Sequence, residues 1–351
     1  MKTNFNQVGS WGAVGKAAAF MGLFLSSSLG LIAPLVPAVE PLVVTLPAGV
    51  TGAEIQRALD ALPETGGEIV LPAGTIVVQE PIVLQRSYQT LRGSGTATVL
   101  SLADGANCPV IIMGQPVNHP QHLTRHVCVG DLAIDGNRRH QQRELWRLHG
   151  AGSEIRNNGI TVQSVRDCTV EHVTVARCRS GGLVTTLGVR RLTVRGLEAF
   201  DNEFDGLACY VTTDSLFTEL FLHDNPAAGI SLDLAFNNNV IRHAVLAAND
   251  LGIFMRSSRD NQFQDVTIRN SRHYGVFMAH EDQETARGVK AIPMTECVHN
   301  SFTDLVASNC GSAAFRVNNT TCVSNIVIGA QFTDNVQGGL SLAGPDLVMR
   351  Q

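Results

Sequence analysis

The 351-residue chain has few aromatic residues and no strong excess of either charge. Phe, Trp and Tyr make up 5% of it, and the formal net charge is −5 at pH 7. A general nucleic-acid-binding protein would normally be basic, so the charge argues against nucleic acid as a partner. In contrast, glycine is frequent, with 33 residues, and Val, Leu, Ile and Thr are abundant. This composition indicates a β-rich protein with many turns.

No Cys-x-x-Cys pair occurs among the eight cysteines, which argues against a zinc site. The cysteines are also too scattered for a small scaffold held together by disulfides. Two interpretations stand for them. They are small residues of a buried core, or an exported chain joins Cys297 to Cys310 and thereby ties down an insertion.

The N-terminus has the features of an export signal. Lys2 and Lys16 precede a long apolar run, and Val36-Pro37-Ala38 provides a candidate cleavage site. Residues 1–38 are therefore predicted to be a signal peptide, and the mature chain is expected to be secreted, periplasmic or at the cell surface. If the segment is retained instead, it would anchor the chain to a membrane. No later apolar run approaches the roughly 20 residues that span a bilayer.

A glycine recurs every 23 or 24 residues in the middle of the chain, and each one precedes a short apolar run. Ile, Leu or Val always follows the glycine, and the third residue is usually apolar, as in a strand with one buried face. A constant period of this length indicates coils that stack on one another. The predicted fold class is all-β, a single-domain right-handed parallel β-helix. The glycines are Gly159, Gly182, Gly206, Gly229, Gly252 and Gly275.

The ends and interruptions of this repeat predict the domain organisation. The stretch 51–78 is typical of an amphipathic helix followed by a Gly-Gly turn and strands, and a helix there would cap the first coil. An insertion at 136–158 precedes the Gly159 strand, and another follows the Gly275 strand, so the two would bracket a groove. The β-helix of residues 39–351 then consists of a cap (42–80), irregular coils (81–158), regular coils (159–279), an insertion (280–300) and final coils (301–351).

Residues two and four places after each glycine are expected to face outward, and equal positions stack about 4.8 Å apart. Tyr210, Asp233 and Arg256 would thus form a file on the sheet, and Asp205 lies in the turn leading to Tyr210. These four are the candidate catalytic residues. The alternative is a surface aromatic beside an exposed ion pair, which contributes little stability. Candidate substrate contacts on or beside the same sheet are Gln163, Thr186, Ser231, Phe254, His273 and His280, the two histidines being equally explicable as solvated turn residues.

The 136–158 insertion is basic. Guanidinium groups match the geometry of carboxylates, and an indole face can pack on a sugar ring. Arg143 and Trp146 are therefore candidate contacts for an acidic polysaccharide, while a solvated basic loop is the alternative. The insertion contains Arg138, Arg139, Arg143, Arg147 and Arg156 against Glu144 and Glu154.

From about residue 42 onward, these features resemble the pectate-lyase-like right-handed β-helix superfamily. The stretch "NEFDGLACY" (202–210) is similar to the coil N-x-x-D-G-F-x-A-D-Y of mannuronan C5-epimerases and related alginate lyases, through Asn202, Asp205 and Gly206. The catalytic Asp of that coil corresponds to Tyr210 here, and an Asp follows one coil later, at Asp233. The family's Asp-Pro-His motif is absent from residues 182–188.

The resemblance implies a polysaccharide lyase or C5-epimerase that removes the C5 proton of a uronate residue. Such chemistry needs a group that neutralises the carboxylate, a base and an acid. Arg256 would neutralise the carboxylate, and Tyr210 would exchange a proton if a cation lowers its pKa. Asp233 would orient either partner or serve as the base.

The sequence is also consistent with two other functions. A glycoside hydrolase would use two carboxylates, for which Asp205 and Asp233 are the available pair. A non-catalytic β-helix would present a long face that binds glycan or forms part of a surface structure. No cofactor is predicted from the residues, and calcium is implied only by the resemblance. The sequence does not predict an oligomeric state.

Overall fold

The computed structural model describes residues 42–142, 156–280, 296–344 and 347–350. These residues wind through about 12 turns of a parallel β-solenoid, as the 23-residue period predicts. Within them the one α-helix is α1 (Gly52–Ala61). Thr51 begins it with a reciprocal capping box to Glu54, and the side chains of Ile55 and Leu59 are fully buried in the core. No helix in this part of the chain has the length and apolarity to span a membrane.

The strands of the first half, in chain order, are β1 (Val43–Thr45), β2 (Gly67–Val70), β3 (Gly74–Val78), β4 (Ile82–Leu84), β5 (Gln89–Arg92), β6 (Thr98–Leu102), β7 (Ile111–Met113), β8 (Thr124–Arg125), β9 (Cys128–Asp135), β10 (Ile160–Gln163), β11 (Val165–Ala176), β12 (Leu183–Thr186), β13 (Val189–Phe200) and β14 (Leu207–Tyr210). The remaining strands are β15 (Thr212–Thr213), β16 (Leu216–His223), β17 (Ala228–Asp233), β18 (Phe236–Asn237), β19 (Val240–Ala247), β20 (Leu251–Met255), β21 (Ser258–Arg259), β22 (Gln262–Arg269), β23 (Val276–Met278), β24 (Ser301–Ser308), β25 (Phe315–Val317), β26 (Asn325–Ile328), β27 (Gln331–Thr333), β28 (Leu340–Leu342) and β29 (Leu347–Arg350).

Two parallel sheets form the walls of the solenoid. The repeating glycines lead into the first sheet, to which the described residues contribute ten strands, and the other nineteen described strands form the second sheet. The glycines are needed because successive coils approach closely there. A Cβ on Gly182 would lie 2.5 Å from the carbonyl oxygen of Gly206, and one on Gly252 would lie 2.4 Å from that of Gly275. The ten-stranded sheet consists of β4, β7, β10, β12, β14, β17, β20, β23, β25 and β28.

Buried asparagines stack at one corner of the solenoid and bind its turns together. The side chain of Asn225 accepts hydrogen bonds from the backbone and side-chain N–H groups of Asn202, at 3.2 and 3.1 Å. Its own amide donates to Asn249, at 3.0 Å. Asn202, which carries part of the family resemblance, therefore has a structural role in this ladder. A second ladder runs through Asn239, Asn261, Asn300 and Asn325.

Left-handed backbone conformations mark the other corners. Asp201 and Asp224 both have φ of 54°, a conformation that aspartate tolerates in turns. In the nineteen-stranded sheet, His243 has φ of 52° and is exposed, with Ala244 buried beside it. With a local bulge as the alternative, the sequence predicts that His243 is a core residue, because it takes the place of Leu220 and Val266 in the repeat. That prediction is wrong because the coil is one residue longer before β19, where Phe217 pairs with Ile241 rather than with Val240.

Candidate functional site

The predicted file of polar residues on the ten-stranded sheet is present. Tyr210 and Asp233 are register partners at the ends of β14 and β17. Arg256 directly follows β20, and its Nε donates a hydrogen bond to Oδ2 of Asp233 at 3.1 Å, while Nη2 contacts the same oxygen. The repeat therefore brings three residues that are 23 positions apart in sequence onto adjacent rungs, as predicted.

Asp233 differs from the exposed carboxylate that the sequence predicts. It is 4% exposed, and its second oxygen, Oδ1, accepts the backbone N–H of Leu234 at 2.9 Å. The guanidinium of Arg256 lies 5.1 Å from the centre of the Phe254 ring and is held by Asp233. Because Asp233 compensates the charge of Arg256, the predicted use of Arg256 to neutralise a substrate carboxylate, and of Asp233 as an exposed base, is not supported by this geometry.

Asp205 lies in the turn before β14 and reaches the next rung. Its Oδ1 accepts the backbone N–H of Ala228 at 2.9 Å, whereas Oδ2 accepts no hydrogen bond from any residue that the structure describes. Burial raises the pKa of Asp205 to about 6, the charge of Asp233 adds to the rise, and the Ala228 hydrogen bond and Arg156 oppose it. A carboxylate with such a pKa can exchange a proton near neutral pH.

Tyr210 faces the same group of charges. Burial raises the pKa of its phenol well above the usual value, as do the charges of Asp205 and Asp233, while Arg156 and Arg256 act in the opposite direction. The sequence interpretation needed a cation to lower this pKa, and that condition is not met. Tyr210 therefore stays protonated, and its hydroxyl, which no described residue binds, is suited to donate a proton or a hydrogen bond.

Two of the predicted substrate contacts are buried instead. The amide of Gln163 donates to the backbone oxygens of Gln115 and Val117, the second at 2.9 Å, and therefore holds the 115–117 segment against the sheet. Ser231 is 7% exposed and stacks beneath Phe254 in register. Neither side chain has the exposed surface that contact with a glycan requires. Thr186, the register partner of Gln163, is half-buried.

The aromatic and histidine candidates lie at the later coils. Phe254 is half-buried and stacks on Phe277, with ring centres 6.0 Å apart. His273 is exposed before β23 and contacts Asp250 at 2.8 Å, whereas His280 follows β23 and contacts Thr321 at 3.4 Å. The two histidines thus flank one strand at its opposite ends. Arg143 and Trp146 lie outside the described residues, as does most of each insertion that was expected to border a groove.

Arg156 is the site residue that sequence reasoning did not single out. It was counted as one of five arginines in the 136–158 insertion, yet its charge lowers the pKa of both Asp205 and Tyr210. Its place three residues before Gly159, where the chain re-enters the sheet, was the available signal. Asp205, Tyr210 and Arg156 together offer a proton acceptor, a proton donor and a positive charge.

Calcium, which the family resemblance implies, stays a prediction. No group of three His, Cys, Asp or Glu side chains there could hold a metal ion. The turn carboxylates of Asp201 and Asp224 instead contact Arg138 and His223, each at 2.6 Å. Asn225 is buried in its ladder.

Comparisons with known proteins agree with the architecture. A family model for the right-handed β-helix region matches residues 158–292. Mannuronan C5-epimerase AlgE4 of Azotobacter vinelandii is 29% identical over 188 residues, which is 51% of this chain and 33% of the epimerase. The chain therefore spans about a third of the length of this curated relative.

Three solved structures show the same fold at low sequence identity. The A-module of AlgE4 from Azotobacter vinelandii has a TM-score of 0.53 and 18% identity, with 85% of this chain and 95% of the module covered. A polygalacturonase from Erwinia carotovora ssp. carotovora has a TM-score of 0.62 and 11% identity, covering 88% and 96%. ORF18 of Geobacillus virus E2 has a TM-score of 0.64 and 13% identity, covering 85% and 57%. The parallel coils and these three structures show that the chain has the fold of a right-handed parallel β-helix.

Proposed function

We propose that the chain is a carbohydrate-active enzyme that removes the C5 proton of a uronate residue in a polysaccharide, as a lyase or a C5-epimerase. The observation that carries this proposal is the pKa of Asp205, which is about 6. The charge of Asp205 helps to keep Tyr210 protonated, and the positive charge of Arg156 acts on both groups. Support for the substrate class comes from similarity to a mannuronan C5-epimerase. Because one fold hosts many activities, the assignment depends on this site rather than on the β-helix.

The proposed step uses three groups in different roles. Asp205 takes the C5 proton through Oδ2, which accepts no hydrogen bond from the described residues, and the C5–H electrons move into the uronate carboxyl group. Arg156 supplies positive charge where the negative charge develops on that group. In a lyase, the electrons then form the C4=C5 double bond while the O4 leaving group departs, and Tyr210 gives that oxygen a proton. In an epimerase, Tyr210 returns a proton to C5 from the other side.

Asp233 and Arg256 act as positioning residues in this scheme. Their ion pair lies on the two rungs after Tyr210, and the charge of Asp233 raises the pKa of both Asp205 and Tyr210. The charge of Asp233 therefore keeps Asp205 basic enough to accept a proton and favours the protonated phenol, while Arg256 holds Asp233 in place. This is a revision of the direct roles that the sequence suggests for both residues.

Incubation with alginate or polygalacturonate in D₂O separates the three enzymatic alternatives. A C5-epimerase incorporates deuterium at C5 without shortening the chain, as NMR detects. A lyase creates unsaturated uronyl ends that absorb ultraviolet light, and a glycoside hydrolase creates new reducing ends with neither signature. Exchange or unsaturation is the expected result. Binding of these glycans without any of the three signatures would contradict the proposal and favour a non-catalytic β-helix.

Variants connect the reaction to the site. Asp205→Asn and Tyr210→Phe are each expected to lower kcat by about 10²–10⁴, the usual contribution of a positioned acid or base. The control is Asp265→Asn, because Asp265 is an exposed carboxylate in β22, on the other sheet. Equal rates for Asp205→Asn and Asp265→Asn would rule out Asp205 as the base.

Export is part of the proposal, since a polysaccharide substrate lies outside most cells. Residues 1–38, the predicted signal peptide, are outside the described residues, and the secreted, periplasmic or cell-surface location stays a prediction. N-terminal sequencing of the protein recovered from its producing cells checks it. A mature N-terminus near Val39 is expected, and an intact Met1 in the soluble cell fraction would contradict export.

A further inference from the structure

A pocket of about 540 Å³ lies on the turns that lead into the ten-stranded sheet, beside the candidate site. Its volume is within the range of small-molecule binding sites. Glu203 and Phe204 line it from the turn before β14, immediately preceding Asp205 in the chain. Ala227, whose backbone N–H donates to the oxygen of Phe204 at 3.3 Å, lines it from the next rung. The pocket therefore adjoins Asp205 through continuous backbone.

Three arginines line this pocket against a single carboxylate. The charged residues of the lining are Arg138, Arg139, Arg179 and Glu203, so three positive charges and one negative charge give a net charge of +2. Glu203 accepts a hydrogen bond from Arg179 at 3.3 Å, and Asp201, outside the lining, accepts one from Arg138 at 2.6 Å. Two of the three guanidinium groups are thus already held in fixed positions by carboxylates.

Arg139 is the arginine available to a ligand. It is exposed, and no hydrogen bond or ion pair involves its guanidinium within the described part of the chain. An arginine fork binds a carboxylate through two parallel hydrogen bonds, which makes it selective for planar anions. Phe204, Pro226 and Ala227 contribute an apolar portion of the lining on which a sugar ring can pack. Positive charge beside apolar surface matches a sugar that carries a carboxylate.

We infer that this pocket is a second subsite, which binds the carboxylate of a uronate residue in the same polysaccharide chain whose reacting residue lies at Asp205 and Tyr210. The inference rests on the proposed function for its substrate class. In addition, it assigns a specific contact to the polymer away from the reacting bond. Binding energy realised at such a remote position holds the reacting sugar in place. The subsite therefore predicts a preference for long polyuronates over short ones.

Binding measured by calorimetry on the full chain tests the inference apart from catalysis. The probes are long oligomers of alginate and of polygalacturonate, their dimers, a sulfated oligosaccharide and a neutral oligosaccharide of equal length. Arg139→Gln is expected to weaken binding of the preferred long oligouronate about 10-fold, consistent with the loss of one hydrogen bond to a charged group. Arg139→Lys should recover only part of the affinity, because lysine lacks the planar fork. Dimer binding should not change.

Arg195→Gln is the matched control, because Arg195 is exposed on β13 in the other sheet and the substitution removes the same charge. Equal affinities for Arg139→Gln and Arg195→Gln would overturn the subsite. So would an Arg139-dependent loss that is as large for dimers or for the neutral oligosaccharide as for the long oligouronate. Tighter Arg139-dependent binding of the sulfated probe than of either oligouronate would overturn the assignment to carboxylates.

The two proposals fail in distinguishable ways. If the wild type incorporates deuterium or forms unsaturated ends while Arg139→Gln binds normally, only the subsite fails. If long oligouronates bind in an Arg139-dependent way and no reaction occurs, only the catalytic proposal fails. If the wild type neither binds nor converts any uronate oligomer, both are overturned.

Discussion

Arg256 directs Nε and Nη2 of its guanidinium at the same oxygen of Asp233, one rung away along the solenoid. The carboxylate of Asp233 is almost fully buried, whereas the arginine side chain is 24% exposed. Burying an ion pair removes both charges from water, so the pair need not add much net stability. Removal of one partner alone is costly, because the remaining charge is left without compensation.

This relationship predicts unequal effects of single and double substitutions. Arg256→Met is expected to lower the free energy of unfolding by about 3 kcal/mol, because it leaves the buried Asp233 without its counter-charge. Adding Asp233→Asn should restore a large part of that loss, since no charge then remains. Urea denaturation of both variants and of Asp233→Asn completes the double-mutant cycle.

The exposed pair of Arg190 and Asp214, at 2.7 Å, provides the matched control. Arg190→Met should cost less than about 1 kcal/mol, as is typical for surface pairs. A loss for Arg256→Met as small as that for Arg190→Met, or full additivity in the cycle, would contradict a buried and coupled pair.

Asp205 should make the stability of the fold depend on pH. Its pKa is raised to about 6 in the folded chain from 3.8, so the folded state binds more protons than the unfolded state between these values. The free energy of unfolding should therefore fall as the pH rises from about 4 to 6. Two units correspond to about 2.7 kcal/mol, and partial exposure of the group reduces the expected effect to about 1–2 kcal/mol.

Asp205→Asn tests this pH dependence. The amide oxygen can still accept the Ala228 N–H group, but the side chain no longer titrates. At pH 7 the variant should be more stable than the wild type, and the difference should disappear near pH 4. Thermal denaturation across this range measures it. A difference between the two proteins that is constant with pH would show that the pKa of Asp205 is not raised.

Much of the fold could be predicted because the repeat length equals one coil. The register of Tyr210 with Asp233 follows directly from their spacing of 23 residues. The failures arise where a side chain depends on contacts that the period does not encode. Gln163 is buried because the 115–117 segment lies over it, and that segment comes from an earlier, irregular coil. The prediction for His243 failed because one additional residue in its own coil shifted the register.

The candidate site was harder to predict than the fold. The sequence spacing predicts that Asp233 stacks between Tyr210 and Arg256. It does not predict that Asp233 is buried or that it accepts hydrogen bonds from Leu234 and Arg256. The raised pKa of Asp205 likewise depends on burial by other coils, which no local pattern reveals. The sequence can therefore indicate which residues meet on a solenoid face, whereas the assignment of acid and base needs their surroundings.

The asparagine ladder should contribute substantially to stability. Asn225→Ala removes a side chain that accepts from Asn202 and donates to the backbone oxygens of Ala199 and His223, at 3.1 and 3.0 Å. Buried groups left unsatisfied cost about 1–3 kcal/mol each, so a loss of about 3 kcal/mol in the free energy of unfolding is expected. Urea denaturation compares this variant with Gln262→Ala, which removes an exposed amide from β22. Losses of equal size would contradict a structural role for the ladder.

The thiols of Cys297 and Cys322 are neighbours, whereas the sequence offered a buried core residue or a disulfide to Cys310 as the two interpretations of Cys297. The two groups hydrogen-bond each other, both cysteines are buried, and no disulfide joins any of the eight cysteines in the structure. The pKa of Cys322 is lowered by the hydrogen bond from Cys297, whereas burial raises the pKa of the Cys297 thiol. Cys322 is therefore the more reactive of the two, because the thiolate is the form that attacks an oxidant.

Mild oxidation with hydrogen peroxide is expected to join these two residues. Peroxide converts the Cys322 thiol to a sulfenic acid with release of water, and attack by the Cys297 sulfur then forms the disulfide and releases a second water. Peptide mass spectrometry should detect a 297–322 link with the loss of two hydrogens, and the closed loop should raise the free energy of unfolding by about 3 kcal/mol. Cys310→Ala should leave this link intact and Cys297→Ser should abolish it. A 297–310 link in the oxidised wild type would contradict the observed pairing of the thiols and support the one suggested by the sequence.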